Sequence, residues 1–187
     1  MTQGAQPART AGRPNWYRIA PIVVLAIVVA VIVWLIVKGD DNKKSSSSPP
    51  ASAATLGTLR SLRTQVGHDV YWAGRRSGFT YELTQVKSNI FIRYLPAGVS
   101  VGDPRPNYLT VGTYPTRHAY AVLKRQSKRS GNRSSPAARG GLAVWSNQRP
   151  QSVYVAYPGS DLQVEVYAPS SRQARSLVTS GTVKPIR

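Results

Sequence analysis

The sequence predicts an α+β domain of mostly antiparallel sheet, attached to a single transmembrane helix. Three observations support this fold class. An unbroken apolar run fills residues 19–37, and short segments rich in aromatic and β-branched residues alternate with turn residues after residue 67. Helical spacing of apolar residues occurs in only two or three stretches of the remaining chain. The chain has 187 residues, a net charge of +18 and no cysteine, so packing alone must stabilise the domain.

The apolar run predicts one membrane span over residues 19–38. A helix of this length covers about 28 Å, close to the roughly 30 Å hydrocarbon thickness of a bilayer. Lysine and arginine are equally frequent on the two sides, but Arg18 abuts the apolar run and the large domain follows it, which favours a cytoplasmic N-terminus. A cleaved signal peptide is the alternative, although its apolar core is usually only about 7 to 15 residues long.

The span divides the chain into four predicted parts. Residues 1–18 form a disordered cytoplasmic tail, and residues 19–38 form the transmembrane helix. Residues 39–54 (GDDNKKSSSSPPASAA) form a flexible Ser/Pro/Ala linker with an end-to-end distance of about 20 to 24 Å. Residues 55–187 form one extracytoplasmic domain. The predicted location is therefore the cell membrane, with a single pass.

The first half of the domain is expected to begin with a helix. Leucine and valine recur at helical spacing from Leu56 to Val66, and Gly67 is suited to end that helix. Three segments then have the composition of strands and are separated by short turns, which predicts an antiparallel meander. These strands are His68–Ala73, Phe79–Val86 and Asn89–Leu95.

The second half is expected to repeat this order. After a Gly/Pro-rich loop over residues 97–107 and a strand at 108–114, Thr116 is expected to cap a helix that runs to residue 129. Three strands and a helix capped by Ser170 or Ser171 and ended by Gly181 follow, and residues 182–186 are expected to form an edge strand. The three strands are predicted at Leu142–Ser146, Ser152–Tyr157 and Leu162–Tyr167.

The two halves resemble each other, which suggests duplication of an α-β-β-β unit. The triplet VYW follows the first helix and AVW follows the second, while NIFIRYLP is similar to LQVEVYAP. Chance similarity among short strands is the alternative explanation. A duplication predicts two similar sheet segments within one continuous or pseudo-symmetric core.

Positive charge is concentrated in the external domain. The residues after position 50 include 19 basic and 5 acidic residues, which gives them a net charge of +14. Such an excess favours attraction to polyanions or anionic lipid head groups, and a solvated basic surface without a ligand is the alternative. The run from 124 to 139 (KRQSKRSGNRSSPAAR) has no acidic residue and is interpreted either as an anion-binding segment or as a mobile, solvated insertion. Its basic residues are Lys124, Arg125, Lys128, Arg129, Arg133 and Arg139.

Catalytic and metal-binding patterns are absent from the sequence. Neither His68 nor His118 has a second ligand at helical spacing, and no nucleophile-elbow, phosphate-loop or dinucleotide-binding motif occurs. An envelope hydrolase that uses Glu82, Asp161 or Glu165 is the weakest alternative, because 19 basic residues compete for these carboxylates as ion-pair partners. We therefore predict no enzymatic activity, no catalytic residue, no metal site and no cofactor.

Five further segments are distinctive: VGDPRPNYLTVGTYP, HDVYWAG, TYELT, YLPAGV and VYVAYPGSDLQVEVYAPS. They resemble segments of uncharacterised single-span membrane proteins of high-GC Gram-positive bacteria of the actinobacterial type, and the resemblance covers roughly residues 59–186. It implies a location in the cell envelope and assigns no activity or functional residue.

Together these features predict a membrane-anchored, strongly basic, extracytoplasmic binding module. Its expected partners are the lipid bilayer through residues 19–38 and anionic wall polymers or lipid head groups through the external domain. Nucleic acid is not expected as a partner. The alternative function is a protein-protein interaction or scaffold subunit of a membrane complex, in which another envelope protein is the partner.

Overall fold

A computed structural model describes residues 50–187, and its central element is an eight-stranded sheet in which all neighbouring strands are antiparallel. A small two-stranded sheet and three helices accompany it, so the α+β class is confirmed. The strands are β1 (Ser52–Ala54), β2 (Tyr71–Trp72), β3 (Phe79–Val86), β4 (Asn89–Pro96), β5 (Thr110–Pro115), β6 (Asn132–Pro136), β7 (Leu142–Ser146), β8 (Arg149–Ala156), β9 (Leu162–Tyr167) and β10 (Lys184–Pro185). The helices are α1 (Leu56–Val66), α2 (Ala119–Ser127) and α3 (Ser171–Thr179).

The strand order in the large sheet is β1-β3-β4-β5-β9-β8-β7-β6. Short connections join β3 to β4, β7 to β8 and β8 to β9, as expected for neighbouring antiparallel strands. The two halves of the domain meet where β5 pairs with β9, with Thr110 opposite Tyr167 and Pro115 opposite Leu162. The three strands on each side of this junction appear in mirrored order, and β1 and β6 form the two edges.

The helices cover both faces of the sheet. Leu59 of α1 and Leu177 of α3 lie in one apolar core with Ile92, Val153 and Val164 of the strands. On α2, Ala119 and Leu123 lie in a second core with Val144 and Ala156. Because successive strand residues point to opposite sides, these cores lie on opposite faces. We call them the α1/α3 face and the α2 face.

Helix α1 begins and ends where the sequence predicts. The hydroxyl of Thr55 accepts a hydrogen bond from the backbone N–H of Thr58, which caps the N-terminus. At the other end Gly67 has φ +72°, and its N–H donates to the carbonyl of Arg63. This left-handed conformation suits glycine, so the helix stops here.

The strand predicted at His68–Ala73 is much shorter than expected and lies outside the large sheet. Only Tyr71 and Trp72 form β2, which pairs with β10. The backbone N–H of Tyr71 donates to the hydroxyl of Thr113, and the N–H of Ala73 donates to the hydroxyl of Tyr94. Side chains of the large sheet therefore provide the hydrogen bonds that a neighbouring strand would otherwise supply.

The predicted cap at Thr116 is wrong. Its hydroxyl donates to the carbonyl of Tyr114, and α2 begins three residues later at Ala119. The residue before the helix is His118, which has φ +54° and makes no side-chain capping bond. Its backbone N–H donates instead to a carboxylate oxygen of Asp161, 2.7 Å away, so a residue from the β8–β9 connection fixes the start of α2. The helix also ends at Ser127, two residues earlier than predicted.

Both edge strands of the large sheet were missed by the sequence prediction. Strand β1 lies at the end of the segment predicted as linker, and β6 lies in the segment predicted as a loop. Their sequences, SAA and NRSSP, contain no aromatic or β-branched residue, so propensity gives no strand signal. They are strands because each pairs along one side with a neighbouring strand, β3 or β7.

The predicted tail and membrane span, and residues 39–49 of the predicted linker, lie outside the described residues. Among the helices within residues 50–187, none has the length and apolarity needed to cross a bilayer. The described residues belong to one compact unit with its own apolar cores.

Candidate anion-binding surface

Five of the six predicted anion-binding residues lie between the last turn of α2 and the beginning of β6. Lys124 and Arg125 are in the last turn of α2, Lys128 and Arg129 follow the helix, and Arg133 is on β6. We call these five residues the basic segment. All five are exposed, and none forms an ion pair with another residue in the range 50–187.

Local hydrogen bonds fix the backbone of this segment. The N–H of Asn132 donates to the carbonyl of Arg129, and its side-chain amide donates to the carbonyl of Gln126. Across the β6–β7 pair, the N–H of Asn147 donates to the carbonyl of Gly131. The segment is therefore a helix end, a tight turn and an edge strand, which corrects the prediction that the helix is followed by an irregular loop.

The position of Lys124 and Arg125 also has a structural effect. Both lie in the last turn of α2, where unpaired carbonyl groups give the helix end a partial negative charge. A cation at this position stabilises an exposed helix by about 0.3–1 kcal/mol. Part of the charge of the basic segment therefore supports the helix, and the rest faces solvent.

Arg139, the sixth predicted residue, lies apart from the basic segment. Its guanidinium donates to the carbonyl of Val183 at 2.6 Å and to the hydroxyl of Tyr157 at 3.2 Å. The same group lies over the Tyr157 ring, 5.2 Å from its centroid. These contacts fasten the C-terminal segment to the α1/α3 face, so Arg139 has a structural role that sequence spacing did not reveal.

The acidic residues leave most of the basic charge uncompensated. Asp69 pairs with Arg63 and Arg187, Glu82 pairs with Arg93, and Asp103 pairs with Arg105. Four of the 19 basic residues are thus in ion pairs, and fifteen have no such partner within residues 50–187. The net charge of +14 is therefore carried mainly by side chains that have no internal counter-ion.

The adjacent His68 and Asp69 do not form an acid-base pair. The ring nitrogens of His68 contact the backbone carbonyls of Asp69 and Ser88, at 2.9 and 3.0 Å. The carboxylate of Asp69 is bound by two arginines, Arg63 at 3.0 Å and Arg187 at 3.1 Å. Both side chains hold segments of the domain together.

Glu82 is buried, and both of its carboxylate oxygens accept hydrogen bonds. Arg93, directly opposite on β4, donates to one carboxylate oxygen, and the backbone N–H of Gly102 donates to the other at 2.6 Å. Arg93 also donates to the carbonyls of Asp103 and Arg105, at 3.0 and 2.9 Å. This network ties the loop between β4 and β5 to the α2 face of the sheet.

Glu165 lies at the centre of the α2 face, on β9. The hydroxyl of Tyr114 donates to its Oε2 at 2.7 Å, and its Oε1 has no hydrogen-bond partner within residues 50–187. Burial raises the pKa of Glu165, because removal from water disfavours the charged carboxylate. Beside it, Gln163 is also fully buried and neither atom of its amide group has a partner among the described residues.

The backbone opposite Glu165 explains how Tyr114 reaches it. Gly112 faces Glu165 across the β5–β9 pair, and a Cβ atom at Gly112 would lie 2.8 Å from the Tyr114 hydroxyl. The missing side chain leaves room for the tyrosine ring to lie over the sheet. The sequence indicates neither this cluster nor its burial, although the alternation in LQVEVY places Gln163 and Glu165 on one face.

The three carboxylates considered for a hydrolase do not form an obvious pair. Glu82 is on β3 and Glu165 on β9, three strand positions apart, which corresponds to about 14 Å between the strand axes. Paired glycosidase carboxylates lie about 5 to 9.5 Å apart. The carboxylate of Asp161 accepts a hydrogen bond from the backbone N–H of His118. Each carboxylate is thus bound within its own part of the fold.

No group of three or more histidine, aspartate or glutamate residues that could hold a metal ion occurs within residues 50–187. Comparisons of the chain with protein-family models, curated proteins and solved structures gave no match. The function proposed below therefore depends on the charge and geometry of this chain alone.

Proposed function

We propose that this protein is a membrane-anchored extracytoplasmic module that binds anionic cell-envelope polymers or lipid head groups through the basic segment. The observation that carries the proposal is the uncompensated charge: five exposed cations are presented by a backbone that is fixed by hydrogen bonds. A preformed array loses less conformational entropy on binding than a flexible tail of the same charge.

The membrane anchor is the second part of the proposal. Its support is the apolar run of residues 19–37, which precedes a described domain that begins at residue 50. A flexible linker of the length predicted for residues 39–54 would keep the domain within a few tens of ångströms of the bilayer.

We also propose that the domain arose by duplication of an α-β-β-β unit. The order of β3-β4-β5 and β7-β8-β9 is mirrored about the β5–β9 pair, which supports repetition of the strands, whereas α1 and α2 pack on opposite faces of the sheet. The residue matches in the sequence are less supportive, because VYW contributes to β2 of the small sheet and AVW lies in β7 of the large one.

A binding experiment with a fragment of residues 42–187 tests the ligand class. The fragment lacks the predicted span, so insertion into lipid does not contribute to binding. We expect retention on phosphate-bearing wall polymers and on vesicles that contain phosphatidylglycerol, with a steep loss between 50 and 200 mM salt. Vesicles of phosphatidylcholine serve as the uncharged control. Absence of binding, or binding that salt does not change, would reject the proposal.

Two variants with equal charge loss locate the binding surface. Lys128→Gln/Arg129→Gln removes two cations from the basic segment, whereas Lys87→Gln/Arg172→Gln removes two exposed cations from other elements. Each cation near an anionic surface contributes about 1 kcal/mol, so we expect the first variant to bind at least tenfold more weakly at low salt. Equal losses in both variants would mean that overall charge, and not the basic segment, determines binding.

A further inference from the structure

A groove of about 180 Å³ lies between α1 and the small sheet, on the α1/α3 side of the domain. Its apolar lining comes from both elements and from the end of the chain. The lining residues are Leu56, Leu59, Trp72 and Ile186. The pairing of β2 with β10 holds one wall, and the N–H of Ile186 donates to the carbonyl of Val70.

Arginines surround this apolar lining. Arg60, Arg75 and Arg187 line the same groove, and all three are exposed. Lys184 lies opposite Trp72 in the β2–β10 pair, so its side chain lies on the same face of the small sheet as the indole ring. Three arginines therefore border a cavity with an aromatic and aliphatic surface, and Lys184 adds a fourth cation on the Trp72 side of the small sheet.

The cationic side chains are partly held in place. Nε of Arg60 donates to the carbonyl of Arg187 at 3.2 Å, and the guanidinium of Arg187 binds Asp69 at 3.1 Å. Asp69 also binds Arg63, so it is shared between two arginines. Arg75 has no ion-pair partner within residues 50–187. Positive charges around the groove therefore outnumber negative ones: three arginines line it, and the only carboxylate bound to them within residues 50–187 is that of Asp69.

This combination of groups suits an anionic amphiphile. Guanidinium groups bind phosphate oxygens in a planar, bidentate geometry, and indole rings lie favourably where apolar and polar regions meet. The volume is below the roughly 300–1,000 Å³ of pockets that enclose a drug-sized ligand. It therefore matches a phosphate head group with the first part of an acyl chain better than a whole lipid.

The groove also lies where the chain enters the domain. Leu56 lines it, and the predicted linker ends at residue 54, immediately before α1. The basic segment follows α2, which packs on the opposite face of the sheet. We propose that the groove binds the head group of an anionic phospholipid at the bilayer surface, an inference that depends on the membrane attachment proposed above.

Native mass spectrometry of the full chain, released from detergent micelles, tests this site. The probes are phosphatidylglycerol, phosphatidylcholine and inorganic phosphate. We expect discrete adducts of phosphatidylglycerol, weaker adducts of phosphatidylcholine and no retained phosphate. Arg60→Gln/Arg75→Gln should weaken phosphatidylglycerol binding about thirtyfold, because the groove loses two cations that would contact the head group. Lys87→Gln/Arg172→Gln removes the same charge from exposed residues outside both the groove and the basic segment, and should leave this binding unchanged.

A second variant separates lost binding from lost folding. Arg60→Lys/Arg75→Lys keeps the charge but removes the bidentate donors, so we expect phosphatidylglycerol affinity between those of the wild type and the glutamine variant. Equal affinity of wild-type protein for the two lipids, or equal weakening by the groove variant and its control, would overturn the proposal. So would phosphate adducts as stable as the lipid adducts.

The groove and the general proposal fail in different ways. If salt-sensitive binding to wall polymers persists but the groove variant keeps its lipid adducts, only the groove inference is wrong. If the full chain is absent from the membrane fraction of cells, the membrane attachment on which both depend is wrong.

Discussion

Arg93 connects the first hairpin to the loop that follows it. Its side chain is only 10% exposed, pairs with Glu82 across β3 and β4, and donates to two carbonyls of the loop. Replacement by methionine leaves a carboxylate buried without its partner, so we expect Arg93→Met to lower the free energy of unfolding by about 3 kcal/mol or more. Urea denaturation of residues 42–187 measures this change.

The matched control removes both charges. In the variant Glu82→Leu/Arg93→Met no buried charge remains unpaired, so it should be more stable than Arg93→Met alone. If the double variant were less stable than the single one by the full cost of a second core substitution, the ion pair would not be the source of the loss.

Glu165 makes the stability of the domain depend on pH. Because burial raises its pKa in the folded state, the folded protein holds this proton more tightly than the unfolded chain does. The stabilisation is complete below the unfolded pKa of about 4.5 and is lost as pH rises towards the folded pKa. Glu165→Gln has no such proton to lose. We therefore expect the stability of this variant relative to wild type to increase between pH 4 and pH 7, measured by denaturant unfolding at several pH values.

The neighbouring hydrogen bond supplies the control for this prediction. Tyr114→Phe removes the donor to Glu165 but keeps the carboxyl group and its burial. Its stability should retain a decrease with rising pH that is at least as steep as in the wild type, because the lost donor favoured the charged form. A Glu165→Gln profile parallel to that of the wild type would show that Glu165 is not the titrating group.

At the scale of elements, one glycine inside α1 and one directly after it have opposite requirements. A Cβ atom at Gly57, inside the helix, meets only the hydroxyl of Thr55 at 3.6 Å. Gly57→Ala should stabilise the domain by about 0.5–1 kcal/mol, since alanine loses less entropy on helix formation. Gly67 ends the helix with φ +72°, so Gly67→Ala should destabilise it by about 1 kcal/mol. Thermal unfolding of the two variants should give melting temperatures that shift in opposite directions.

The sequence predicts the elements whose signals are local. The periodicity of α1, the alternation in β9 and the short β3–β4 connection at residues 87–88 all lie within single segments, and each is found where expected. The pairing of β5 with β9 joins segments about fifty residues apart, and no local pattern encodes it. The same reason explains β6, which is a strand only because β7 lies beside it.

In the candidate site too, the sequence predicts only what depends on single segments. The exposed cations of the basic segment follow directly from composition, since so few acidic residues compete for them. Arg139 could not be distinguished from its neighbours, because its partners Val183 and Tyr157 are distant in the chain. The groove is likewise assembled from α1, β2 and the last residues, which have no sequence pattern in common.

At the scale of the whole molecule, the predicted anchor determines where the charge acts. A chain that lacks residues 1–41 retains the described domain but loses the apolar run. We expect this truncated chain to leave the membrane fraction after a wash at high salt, whereas the full chain stays through high salt and alkaline carbonate. Fractionation and immunoblotting measure the difference. Protease added to intact cells should cleave the full chain within the external domain, and a protected domain would contradict the proposed orientation.

The junction of β5 with β9 affects how the chain is made. During synthesis β5 emerges roughly fifty residues before β9. At about 5–20 residues per second, several seconds pass in which the inner edge of the first hairpin group has no neighbour. An open strand edge is a template for pairing with other chains. The unfinished polypeptide therefore exposes an edge of β5 until β9 has been made, and a chain truncated before residue 162 would be prone to aggregation.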